Sequence, residues 1–140
     1  MKLLILCSFS AICIVFNLQC HPSKSMNKDI MQLIRVGNGG GFAGQENFVA
    51  IMEDGSIQSS GDESYTKLHQ SVIQQLKSNI TVLGLDNIQY NVPGNLYQFV
   101  EIPSGNGTRR MAWDPQSAEV PSNLKLFFNN AVSIIKKNKK

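Results

Sequence analysis

Beyond Cys20 the sequence contains no cysteine; its three, Cys7, Cys13 and Cys20, all fall within the first twenty residues. A domain built from the remainder has no disulfide framework and no thiolate to act as ligand or nucleophile, so an ordinary apolar core must hold it together. Histidine is nearly as scarce, with His21 and His69 alone. No Gly-x-Ser-x-Gly elbow occurs, which excludes hydrolases of that architecture. Charge of one sign is also missing. Thirteen Lys and Arg stand against ten Asp and Glu, and four of the lysines are Lys136, Lys137, Lys139 and Lys140. Without that tail the body beyond His21 is slightly acidic, and nucleic acid, which needs a basic face with stacking aromatics, is excluded as a partner.

What is present begins with a leader. Lys2 precedes a nearly unbroken apolar run, Leu3 to Leu18, and the composition turns polar at Gln19, Cys20, His21 and Pro22. That order is the pattern of a secretory signal peptide. The run is slightly short for the ~20 residues a membrane span needs, and nothing later repeats it. The expected organisation is a signal peptide at 1–20, a short polar tether at 21–28, a single domain at 29–136 and a solvated basic tail at 137–140. The expected location is extracytoplasmic and secreted. The alternative is a membrane-anchored lipoprotein acylated at Cys20, although Asn17, Leu18 and Gln19 make a poor cleavage signal for it. A membrane enters the reading only through that acylation.

Alternation of apolar and polar residues marks strands at Asp29–Val36, Asn47–Glu53, Leu96–Ile102 and Thr108–Trp113, with a short addition at Ser56–Ser59 after the Asp54-Gly55 turn. Apolar residues three and four apart mark two helices. The first, Tyr65–Ile80, carries Tyr65, Leu68, Val72, Leu76 and Ile80 as its stripe, with Ser64 as N-cap. The second, Pro121–Lys136, carries Leu124, Phe127, Phe128, Ala131, Ile134 and Ile135, and its two phenylalanines are expected to differ in burial. Asp86–Asn95 reads as loop. The order is ββαββα. Strands joined by short connections are antiparallel, so the predicted fold is α+β: two layers, an antiparallel sheet of about four strands with both helices on one face.

Glycine is concentrated between the first two strands, where Gly37, Gly39, Gly40, Gly41 and Gly44 surround Asn38, Phe42 and Ala43. The G-x-G-x-x-G frame inside this run is not a nucleotide-binding fingerprint, because that motif needs a helix after it and here a strand follows. Two readings stand: a wide glycine-rich hairpin with only a structural role, and a binding loop at Gly40, Gly41, Phe42, Ala43 and Gly44 that displays Phe42 to a partner. Acidic pairs occur at Glu53-Asp54 and Asp62-Glu63, where caps and solvated turn ends are common, and EF-hand spacing is absent. No metal or other cofactor is implied. His69 is four residues beyond Tyr65 and reads as a boundary histidine beside the core, with catalysis together with nearby carboxylates as the alternative. Asn79 and Asn106 open N-x-Thr sequons, acceptors for N-glycosylation in a eukaryotic secretory route.

A first strand leading into Gly40-Gly41-Phe42-Ala43-Gly44, a second ending at an acidic turn, a helix, an aromatic strand, a basic strand and a closing helix together resemble the emfourin family, over roughly Asp29 to Lys136. The same GGGF-type loop resembles that of small lipoproteins. The emfourin resemblance implies a small protein inhibitor of thermolysin-like metalloproteases rather than an enzyme, and only the Gly40 to Gly44 positions carry over. The chain departs from the pattern in its leader, its long Asp86–Asn95 loop and its basic tail. The expected function is therefore a secreted or envelope-exposed binding domain, monomeric, with a protein partner of the protease class. The alternatives are a lipid-anchored envelope protein of structural role and a small enzyme using His69.

Overall fold

Apolar alternation from Leu33 onward builds the middle of a sheet. The computed structural model describes residues 31–140, and its elements run β1 (Gln32–Gly40), β2 (Gln45–Met52), β3 (Ile57–Ser59), α1 (Gln70–Val82), a 3-10 turn at Leu85–Asn87, β4 (Asn91–Val92), β5 (Leu96–Ser104), β6 (Gly107–Trp113) and α2 (Ser122–Lys137). The leader at 1–20, Cys20, His21, the tether at 21–28 and the first two residues of the expected domain lie outside the described residues. The sheet order is β3-β2-β1-β5-β6-β4, antiparallel throughout except for β4, which runs parallel to β6.

The class is α+β, but the sheet has six strands and is mixed, where about four antiparallel strands were expected. Both extra strands are short. β3, three residues, is the short addition expected at Ser56–Ser59, whereas β4 has two, too few to show a period, and the parallel pair arises where the expected Asp86–Asn95 loop passes the end of β6. The alternation expected for β1 also fails at its start. A register shift falls between Gln32 and Ile34, so the neighbours Leu33 and Ile34 are both buried, as a bulge permits.

One core lies between the sheet and the helices. Ile73, Leu76 and Ile80 of α1 join Leu124, Phe127, Phe128, Ala131 and Ile135 of α2 against Val36, Ile51, Val100, Ile102, Met111 and Trp113. Both helices therefore cover the same sheet face. Trp113 meets Phe128 edge-on at 5.3 Å between ring centroids, a favoured aromatic geometry. Phe127 and Phe128 differ in burial only slightly, at 0% and 8% exposure, and both belong to the core.

The first helix starts five residues later than its apolar spacing suggested. Leu68 is buried, but it lies in an extended segment whose backbone is committed elsewhere: its N–H donates to the Gly55 carbonyl at 2.8 Å, and the Thr66 N–H donates to the Asn138 carbonyl at 2.8 Å. Ser64 caps nothing. The N-cap is His69, whose Nδ1 accepts from the Ser71 N–H. Nor is the basic tail loose. Tyr65 bridges Lys139, the Lys140 N–H donates to the Ser64 carbonyl at 3.0 Å, and Lys139 pairs with Glu63.

Candidate functional site

The glycine run does two different jobs. Gly37 and Gly39 lie in β1 on the face away from the helices, opposite Phe99 and Tyr97 of β5. A Cβ on Gly37 would stand 2.8 Å from Phe99 Cζ and closer still to the Asn47 carbonyl oxygen; one on Gly39 would stand 2.7 Å from Tyr97 Cζ. The two rings occupy the space that side chains here would fill. Gly40 ends β1 at φ 97°, and a Cβ there would run into the Asn95 carbonyl, so only glycine fits. The expected wide loop is thus a turn of four residues, Gly41, Phe42, Ala43 and Gly44, closed by the Gly44 N–H donating to the Gly41 carbonyl at 3.1 Å. Gly40 belongs to the strand.

At the tip of that turn Phe42 is fully exposed. Leu96, paired with Gly40 across the β1–β5 ladder, is 62% exposed, and the Gly41 N–H donates to the Asn95 carbonyl at 2.8 Å. Val92, level with Trp113 and Gln98 in the register, is exposed at the same end of the sheet. The tip is therefore an apolar point on a hydrogen-bonded, antiparallel stem.

Around Phe99 the open sheet face carries a charged lattice that sequence reasoning missed. Arg35 bonds Glu101 at 3.1 Å and lies 3.6 Å from Glu46; Arg110 bonds Glu101 at 2.6 Å and Glu46 at 2.5 Å. The Arg35 guanidinium stacks 3.8 Å over Phe48 and that of Arg110 4.0 Å over Phe99, a cation–π arrangement. Tyr97 Oη donates to Glu46 at 2.7 Å. That bond, with Arg110 and Arg35 behind it, holds the Glu46 carboxyl below its ordinary range, while the same contact raises Tyr97. The readable signal was the period-two pattern Arg35, Gly37, Gly39 facing Tyr97, Phe99, Glu101. The lattice pairs its two arginines with its two carboxylates, and the buried Arg35 Nε is the side-chain atom left without a hydrogen-bond partner among the described residues.

Among the described residues no carboxylate is hydrogen-bonded to His69. His69 is exposed and does not pack beside the core; it caps α1, and Ser71 is its hydrogen-bond partner. Glu53 is paired with Lys77 at 3.0 Å, Asp54 with Lys67 at 2.8 Å, and Glu63 with Lys139 and Tyr65. Burial and the Glu63 bond push the Tyr65 hydroxyl up to about 12. Of the sequons, Asn106 is exposed in the β5–β6 turn, whereas Asn79 is half-buried within α1.

No protein-family model matches the sequence, and no curated protein is similar to it.

Proposed function

We propose that this domain is a non-enzymatic binding module that docks the β1–β2 tip, Gly41 to Gly44 with Phe42 as anchor, into another protein. The observation that supports this is the full exposure of Phe42 on a tip whose backbone is fixed on both sides. A large aromatic left in water is unfavourable unless a partner covers it, since burying it releases ~150–250 Å² of apolar surface. A preformed tip also loses little entropy on docking. The density of glycine does not itself argue for binding, because Gly37, Gly39 and Gly40 are required by the packing of the sheet. The partner we infer is a protease of the thermolysin-like class, met outside the cytoplasm after removal of the leader or from a membrane anchor at Cys20.

The test is an inhibition assay of the purified protein against a thermolysin-like protease. Phe42→Ala weakens inhibition at least ~30-fold, a loss of the size seen at interface anchors, with thermal unfolding unchanged. Gly41→Asn, which tolerates the 74° φ of this position, separates a side-chain clash with the partner from strain in the turn. Absence of inhibition, or an inhibition constant indifferent to Phe42→Ala, removes the reading.

A further inference from the structure

On the helix-bearing side of the sheet the cover is incomplete. Near the β1–β2 hairpin a groove of about 610 Å³ opens between α2 and the Ser59–Tyr65 segment. That volume is within the ~300–1,000 Å³ of ordinary ligand sites. Its walls and floor include the apolar Val49, Val132 and Ile135. Toward the hairpin the floor becomes polar, where Asn38 and Asn47 pair across the ladder, both exposed. Lys136 stands on its rim.

The charges at this end are unbalanced. Of Lys136, Lys137, Lys139 and Lys140, only Lys139 is ion-paired among the described residues, to Glu63. Glu63 is the one carboxylate lining the groove, and Lys139 and the Tyr65 hydroxyl already occupy it. Among the residues lining the groove, an anionic occupant would meet the unpaired ammonium of Lys136 and a single carboxylate, Glu63, that is already engaged; Asp62, beside it in sequence, does not line the groove.

The outer edge of β2 is open beside the groove. β3 pairs only with Val49, Ala50 and Ile51, and Ser60 closes the next pair at Phe48. By the alternation of an antiparallel ladder, the N–H and C=O of Glu46 then point outward with no strand beyond them. Such an edge accepts an extended chain.

We propose that this groove binds an extended acidic peptide segment of a partner protein. Its apolar side chain enters between Val49, Val132 and Ile135, the amides of Asn38 and Asn47 meet its backbone, and its carboxylate pairs with Lys136. The concave, amide-lined floor favours a peptide over a flat anionic membrane. Phe42 takes no part, so the site stands or falls separately from docking by the hairpin tip.

The test uses the purified, isotope-labelled protein with three probes: a fluorescein-labelled octapeptide alternating leucine and glutamate, its leucine–lysine counterpart, and vesicles of phosphatidylglycerol with phosphatidylcholine. The acidic peptide binds saturably, shifting the Asn38 and Asn47 side-chain amides and the Val132 methyls, and the basic peptide binds at least ~10-fold more weakly. Lys136 is exposed, so Lys136→Glu leaves the fold intact and weakens binding by roughly 10-fold, and Asn47→Ala weakens it as well. The proposal is overturned by equal affinity for both peptides, by no binding at millimolar peptide, or by binding indifferent to Lys136→Glu. It is also overturned if only the vesicles bind, with shifts confined to Lys137 and Lys140.

Discussion

At the scale of single residues, the glycines of β1 separate by what lies over them. Gly37 is enclosed by the Phe99 ring and the Asn47 backbone, whereas a Cβ on Gly61 would meet nothing within 4 Å. Gly37→Ala should therefore destabilise the domain by about 1–3 kcal/mol through overpacking against backbone that cannot yield, and Gly61→Ala should stay within ~0.5 kcal/mol. Urea denaturation of the two variants checks this; equal midpoints would mean that the sheet is not packed around Gly37. The turn after β2 supplies a pH-sensitive residue. Asp54 accepts from Lys67, from the Ser56 hydroxyl at 2.6 Å and from the Ser56 N–H at 2.9 Å, and these bonds hold its carboxyl at about 2 rather than 3.8. A depressed carboxyl contributes stability that is complete above its unfolded value and lost as pH falls through the folded one. The Asp54 contribution should thus be present above pH ~4 and fade toward pH ~2, and Asp54→Asn should remove that part of the acid sensitivity. Carboxyl NMR titration reads it directly, and a midpoint close to 4 would show that the Lys67 and Ser56 bonds do not form in solution.

Elements were legible in proportion to their length and to how far local pattern agrees with tertiary use. α2 could be read within a residue of its ends because its stripe is long and its first turn follows Pro121, the residue at its N-cap. α1 was extended too far back because buried Leu68 stands four residues before Val72, a helical spacing filled here by a segment that pairs with Gly55 and with the end of the chain. β4 has no pattern to read: two residues acquire strand geometry only by lying beside Ala112 and Trp113. In the candidate site the sequence exposed the tip and Phe42. The Arg35–Glu101–Arg110–Glu46 lattice stayed hidden because its members come from four strands, and pairing across β1, β2, β5 and β6 is a product of register. The closing helix carries the energetic prediction of this scale. Phe127 is fully buried in the common core, and truncating a buried aromatic to Ala costs about 3–5 kcal/mol. That is a large fraction of the ~5–15 kcal/mol holding a domain together. Phe127→Ala should lower the unfolding temperature accordingly; an unchanged melting curve would remove α2 from the core.

In the whole molecule, the end of the chain closes the fold. The connection between β3 and α1 has no helix or strand of its own; Ser60 at its start bonds Phe48, and beyond it the backbone hydrogen bonds run to Gly55 on one side and to Asn138 and Lys140 on the other. The last three residues thus act as a strap across residues 60–69: the Thr66 N–H reaches the Asn138 carbonyl, Tyr65 bridges Lys139, and Ser64 accepts from Lys140. Of the lysines expected in a solvated tail, Lys137 ends α2, and Lys139 and Lys140 are the side chains of this strap. Lys139 lines the groove and pairs there with Glu63, Lys140 is exposed, and the backbone of both is held. Each backbone bond contributes about 0.5–1.5 kcal/mol net, and the Lys139–Glu63 pair, half-exposed, adds little. Deleting Asn138–Lys140 should therefore cost about 1–3 kcal/mol and lower the melting temperature by several degrees. Exchange of the Thr66 amide should rise toward that of an unstructured peptide while amides in β1 and β5 stay protected. Replacing Lys139 and Lys140 by glutamine without deletion retains the backbone strap and should leave Thr66 protected, which separates a backbone role from a charge role. Full protection of Thr66 in the deleted protein would mean that the β3–α1 connection holds itself in place and that the strap contributes nothing to the fold.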